Sequence, residues 1–223
     1  MNQMDGEKPG PRSNRKLLLV LAVLVASLGL ALMTGSALLR ARKASVPAEA
    51  APKKGELERL GKVPTFTLTN EQGKPVSTAD LLGKVWIADF IFLRCGGSCP
   101  VMTAQMASLA EELKDVADLR FVSFDVDPEH DSVEDMARYA KTYKADPARW
   151  MFLRGERPEI RRIAQEGFKL SVVDGNADDP EPILHSSRFI LVDRCGEIRG
   201  YFESAAPTPI LAAARKLAKE SCP

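Results

Sequence analysis

The chain is poor in histidine, with two among 223 residues, and it has only four cysteines. A histidine-rich metal cluster is therefore excluded. Imidazole can supply at most two ligands to any metal site. Net charge is nearly absent at +1, which speaks against a nucleic-acid-binding protein. No internal repeat occurs. What is present is a globular composition, 45% hydrophobic and 27% charged, which excludes disorder throughout. The length suits one ordinary domain with additions.

The charge is unevenly placed. Residues 1–43 carry seven Lys/Arg against two Asp/Glu, and the remainder carries 24 against 28. Inside the basic part lies LLLVLAVLVASLGLALMTGSALL, Leu17–Leu39, 23 residues without a charge. As a helix it spans roughly 35 Å, enough to cross a ~30 Å hydrocarbon core. It is longer than a signal-peptide apolar run of roughly 7–15 residues, and no clear A-x-A site follows closely. An uncleaved anchor is therefore expected. Arg12, Arg15 and Lys16 precede it while Arg40, Arg42 and Lys43 follow, so flanking charge barely orients it. The expected organisation is a cytoplasmic tail (1–16), a transmembrane anchor (17–39), a flexible tether (40–57) and a soluble domain (58–223). No long Arg/Ser-rich transit peptide precedes the anchor, which favours a bacterial inner membrane with the domain in the periplasm. The Ala/Pro/charge-rich tether reaches at most about 60 Å, so the domain can work at the surface of a membrane partner.

Within the domain, TFTLTN and KPVST read as short strands around a turn at Gln72–Gly73. KVWIADFIFL is a nearly continuous apolar run, the pattern of a buried central strand. PVMTAQMASLAEELKDV repeats apolar residues at helical spacing from Val101 and Met102 through Met106, Leu109, Ala110 and Leu113, with Pro100 at the first helical position. LRFVSFDV is a strand. SVEDMARYAKTYKA is a helix capped by Ser132, with Asp135 three residues on. RWMFLRG is a strand, RPEIRRIAQEG a helix ending at Gly167, and RFILVD and EIRGYFE are strands around a turn at Cys195–Gly196. PTPILAAARKLAKE closes the chain as a helix. Parallel βαβ units followed by a β-hairpin and a last helix predict an α/β, thioredoxin-like fold with a mixed central sheet flanked by helices.

Cys95 and Cys99 stand in FIFLRCGGSCPVMTAQM, where the first core strand meets the first core helix. Open α/β sheets carry their chemistry at such strand ends. Cys99 falls at or next to the helix N-cap, where the positive end of the helix lowers a thiol pKa. Gly96, Gly97 and Ser98 let the two sulfurs converge. The spacing has one residue more than a thioredoxin-type redox pair. It fits an intraloop disulfide or two thiolates on one soft metal ion. A third ligand would narrow the choice. His130, in the polar turn DPEHDS, reads as a solvated loop residue. His185, in EPILHSSRFILVD, precedes a core strand whose start lies near the cysteine loop in a thioredoxin-like fold; a hydrogen-bonded structural histidine is the alternative. A Cys2His set without a charged ligand suits copper, particularly Cu(I), whereas zinc takes a fourth ligand that can be water.

RCGGSCPVMTAQM, FVSFDVDPEHDSVEDMARYAKTYKADPARWMFLRG and ILHSSRFILVD together resemble the Sco/SenC family of membrane-anchored copper proteins. The resemblance runs in order from about Gly61 to Leu217. It implies one copper ion bound through Cys95, Cys99 and His185. It also implies a role in assembling the Cu-A centre of cytochrome c oxidase, with an oxidase subunit, other copper chaperones or thiol reductants as partners. Asp125 and Asp127 match acidic family positions near the metal loop; a strand-end turn at Asp127–Pro128 is the alternative. The chain departs from the family pattern in its Gly96-Gly97-Ser98 triplet and in Arg94.

Two other functions fit the same cysteines. One is a thiol–disulfide oxidoreductase that keeps the cysteines of an oxidase subunit or another copper protein reduced, with Cys95 and Cys99 as the redox-active pair. The other is a peroxidase, which the spacing fits poorly. Cys195 and Cys222 match no family ligand. In an extracytoplasmic domain they read as a structural disulfide closing a loop worth roughly 3.6 kcal/mol in the chain-entropy model, with two free thiols as the alternative. Met102, Met106, Trp86 and Trp150 read as core residues.

Overall fold

The fold was obtained as a computed structural model, in which residues 57–170 and 187–222 are described. The tail, the anchor and all but the last residue of the tether lie outside these residues. Among the described residues no helix is long and apolar enough to cross a membrane.

The elements follow in the order β1 (Thr67–Asn70), β2 (Pro75–Ser77), α1 (Thr78–Leu81), β3 (Val85–Ile91), α2 (Ser98–Glu112), β4 (Leu119–Asp125) and α3 (Val133–Thr142). Then come β5 (Trp150–Arg154), α4 (Arg157–Arg162), β6 (Arg188–Val192), β7 (Ile198–Glu203) and α5 (Thr208–Leu217). The strands form one seven-stranded mixed sheet in the order β2-β1-β5-β4-β3-β6-β7. β3 pairs parallel with β4 and antiparallel with β6, and β6 pairs antiparallel with β7. This is the expected mixed α/β architecture. β3 is buried along its whole length, as its unbroken apolar run requires for a strand covered on both faces.

Local chemistry accounts for the turns and caps. Gly73 takes φ +73°, and the Asn70 side chain accepts the N–H groups of Gln72 and Lys74 across the β1–β2 turn. Ser132 Oγ accepts the Asp135 N–H at 3.1 Å while Asp135 accepts the Ser132 N–H at 3.1 Å, a complete capping box for α3. The helix that starts at Arg157 widens in its last turn, Ile163–Gly167, into π geometry. A Cβ on Gly167 would lie 2.4 Å from Pro64 Cδ, so only glycine fits there.

The core beneath the cysteine loop is aromatic. Phe90 stacks on Phe124 with centroids 4.9 Å apart, and Phe168 meets Phe90, Phe124 and Trp86. Trp86 and Trp150 are buried, as are Met102 and Met106, all as expected for core residues. Trp150 satisfies its indole N–H on Ser123 Oγ at 3.0 Å.

Two details of α2 differ from the sequence reading. The helix starts at Ser98 with Gly97 as its cap, so Cys99 is the second helical residue and Pro100 the third. The first turn has no intrahelical use for its N–H groups, so proline is tolerated there too. Val101 does not join the apolar face: it is 61% exposed, while Cys99, Met102, Thr103, Met106 and Leu109 face inward.

Candidate metal and thiol site

β3 delivers the chain to a tight loop, Phe92–Gly97, and α2 carries it away. Cys95 and Cys99 are both free and both buried, at 6% and 5% exposure. The Gly97 N–H approaches Cys95 Sγ at 3.4 Å. Gly96, Gly97 and Ser98, which separate the two cysteines, are exposed, and Gly96 has open space where a Cβ would sit.

Acidic residues from the end of β4 pin this loop. Asp131 accepts the Leu93 N–H at 2.8 Å, and Asp127 accepts the Arg94 guanidinium at 2.6 Å. The other Asp127 oxygen meets His130 Nδ1 at 2.7 Å. Asp125 accepts the Asp127 N–H at 2.9 Å. The two readings of Asp125 and Asp127 thus merge, because they form the strand-end turn and they also border the cysteine loop. His130 is a mostly solvated turn residue, as expected, but it is anchored on Asp127. On the helix side, Thr103 Oγ1 donates to the Cys99 carbonyl at 2.9 Å and meets the Tyr139 hydroxyl at 2.9 Å.

Burial dominates the electrostatics. The Cys99 thiol is pushed up to about 12, first by burial, with the neighbouring Cys95 and Asp89 adding to the effect and the Phe92 backbone opposing it. This corrects the expectation of a stabilised thiolate. The positive end of α2 is there, but the sulfur is packed in the core, and desolvation outweighs the dipole. Asp125 is raised to about 8 by burial, with the charge of Asp131 adding to it. Asp131 is raised as well, by burial first and then by Asp127.

Sequence reasoning missed Asp89. It sits in the middle of β3, fully buried, opposite Ser123, and neither carboxylate oxygen has a hydrogen-bond partner. Burial raises it to about 7, opposed in part by the nearby Ser123 hydroxyl and the Asp89 backbone, neither of which reaches hydrogen-bond geometry with the carboxylate. The signal was available: a lone acidic residue inside an otherwise apolar central strand. Asp131 was missed too, and nothing in its polar turn marks it as the residue that holds Leu93.

The donor set is soft. Two reduced sulfurs converge under an exposed loop, and such a pair suits a soft ion. Among the described residues no group of three or more His, Cys, Asp or Glu side chains is arranged to hold a metal. His185, the expected third ligand, lies outside the described residues. Cys195 and Cys222, in contrast, are bonded to each other and tie the segment after α5 to the β6–β7 turn.

A mixed α/β sheet with a C-x-x-x-C loop between its central strand and the following helix defines a thioredoxin-like protein with a paired-cysteine site. The chain belongs to the SCO1/SenC family, which its residues 55–220 match. It is 38% identical over 149 residues to the SCO1 protein homolog of Bacillus subtilis (strain 168), covering 66% of this chain and 76% of that one. BsSco, a member of the Sco family of cytochrome c oxidase assembly proteins in which a disulfide switch was identified, matches with a TM-score of 0.66 and 32% identity. That match covers 74% of this chain and 99% of BsSco. Bradyrhizobium japonicum ScoI with copper bound shares the fold at a TM-score of 0.61 and 23% identity, over 70% of this chain and 99% of that one.

Proposed function

We propose that this protein is a copper metallochaperone that holds one copper ion through Cys95, Cys99 and His185 and helps assemble the Cu-A centre of cytochrome c oxidase. The observation that carries this reading is the pair of buried, reduced sulfurs at the strand-to-helix junction, separated by the exposed Gly96-Gly97-Ser98 segment. Membership of the family supports it, as does the copper bound to Bradyrhizobium japonicum ScoI. Copper is cargo here. Cys95 and Cys99 supply soft anionic donors once their protons leave, and the Asp131 and Asp127 contacts hold the loop that carries Cys95. Leu17–Leu39 anchors the chain in a bacterial inner membrane, and the tether lets the periplasmic domain reach a subunit of the oxidase.

Copper titration of the wild type against His185→Ala tests the ligand set. The variant loses more than about tenfold in affinity. Undiminished affinity would overturn the three-ligand site.

A second reading, thiol–disulfide exchange at Cys95 and Cys99, is favoured by one specific observation: the disulfide switch of BsSco, 32% identical to this chain. On this reading His185 is dispensable for exchange. A reversible dithiol–disulfide couple in a protein that takes up no copper would decide for it.

A further inference from the structure

The Cys195–Cys222 disulfide lies away from the cysteine loop. β6 runs antiparallel to β3, with Val192 beside Trp86, so the exit of β6 lies at the entrance of β3. The Cys95 loop follows the opposite end of that strand. Cys222 is exposed and Cys195 half-buried, and both border a cavity of about 400 Å³.

The charges around this cavity do not balance. Asp193 and Glu220 face it, and both are engaged by the buried Arg199, at 2.8 Å and 3.6 Å. The remaining donors of Arg199 reach the Glu58 and Leu57 carbonyls. Arg194 holds Asp118 at 3.2 Å and the carbonyls of Gly83 and Ala218. Arg59 and Lys219 are left, and among the described residues neither side chain has an ion-pair or hydrogen-bond partner. Two exposed, unanswered cations thus flank an accessible disulfide. Exposed disulfides are the labile ones, whereas structural disulfides resist reduction.

We propose that this cavity is a second thiol–disulfide site, which accepts a small anionic thiol whose carboxylate or sulfonate docks on Arg59 and Lys219. The thiolate sulfur bonds to Cys222 Sγ as the Cys195–Cys222 bond breaks, and the bonding pair leaves on Cys195 as a thiolate beside Arg194. A second molecule of the same thiol attacks the mixed disulfide and departs as the oxidised thiol dimer. Cys222 leaves as a thiolate and takes a proton from water. Two thiols are oxidised and one protein disulfide is reduced, so the electrons balance. Glu220, two residues from Cys222, is released with the C-terminal segment. The opened bond therefore loosens the tie that Arg199 makes between this segment and Leu57–Glu58, where the tether enters the domain.

The test follows reduction of the full-length chain in nonionic detergent by mercaptoethanesulfonate and by cysteamine. Rates are normalised to thiolate concentration, and the adduct is located by peptide mass spectrometry. At low ionic strength the anionic thiol reacts about tenfold faster, and the preference collapses at about 1 M salt. Arg59→Ala with Lys219→Ala abolishes the preference, and Arg59→Lys with Lys219→Arg retains it. Equal rates for the two thiols on the wild type overturn the proposal. So does a preference that survives in the double alanine variant, or an adduct found on Cys195 instead of Cys222. Every readout is confined to the Cys195 and Cys222 peptides, so the outcome is independent of what Cys95 and Cys99 do.

Discussion

Replacing Asp89 by asparagine should stabilise the domain, and by an amount that depends on pH. Asp89 is fully buried in β3 with no partner for either oxygen, and burial lifts it from its ordinary value near 3.8 to about 7. The unfolded carboxyl ionises near pH 4, whereas the folded one keeps its proton until about pH 7. Between these values the unfolded state binds fewer protons, so stability falls as pH rises and levels off above about pH 7. The full loss is about 4 kcal/mol, roughly 1 kcal/mol of it already present at about pH 4.5. An asparagine amide has the same shape and stays neutral throughout, so Asp89→Asn escapes this loss.

The assay is urea unfolding of the domain, residues 57–223, at about pH 4.5 and about pH 8 for both proteins. BsSco is 99% covered by its match to this chain, so the span is one that is solved by itself in a relative. The gap between variant and wild type widens by about 3 kcal/mol over that range. Other titrating groups are common to the two proteins and cancel in the difference. A gap that stays flat with pH would mean that Asp89 is ionised in the native fold, and would refute the reasoning.

Two further outcomes follow from the structure. Because the Cys99 thiol is pushed up to about 12, copper must displace its proton at any pH near neutrality, so apparent affinity rises about tenfold per pH unit for each proton displaced. Competition titrations from about pH 6 to about pH 8 read this directly, and a flat profile counts against Cys99 as a ligand. Gly167→Ala drives a methyl group into the Pro64 ring, at 2.4 Å from Cδ. The expected cost is about 1–3 kcal/mol, read by thermal unfolding of the same domain; an unshifted transition would mean that Pro64 yields freely.

The parts of the fold governed by local chemistry were legible in the sequence. The unbroken apolar run of β3, the Ser132/Asp135 capping box, the glycine turns at Gly73 and Gly196 and the halt at Gly167 are all short-range signals. Cys95 and Cys99 could be placed at a strand-to-helix junction for the same reason. What the sequence hid depends on the third dimension. Helical spacing put Val101 on the apolar face, but the face is chosen by the sheet that α2 packs on, and Val101 lies outside it. Nothing local marks Arg199 as buried; Asp193, Glu220 and two tether-side carbonyls converge on it from distant parts of the chain. The thiol chemistry was misjudged on the same ground: a helix end is visible in sequence, and the depth of a sulfur is not.

That depth bears on how the cysteine pair works. A thiol held well above neutrality is a poor nucleophile, because exchange needs the thiolate. Without metal, exchange that starts from the Cys99 sulfur is therefore slow, whatever the helix dipole contributes. The same burial acts differently on a cation. An ion that enters replaces the Cys99 proton and neutralises the sulfur, so the desolvation that disfavours a bare thiolate no longer opposes ionisation. Asp89 works in the same direction: its carboxyl raises the thiol further, and any negative charge it gains above about pH 7 attracts an incoming cation. Gly96 and Gly97, between the two cysteines, are exposed and carry no side chains. Core burial and an open loop together suit the uptake of a soft cation better than rapid disulfide exchange.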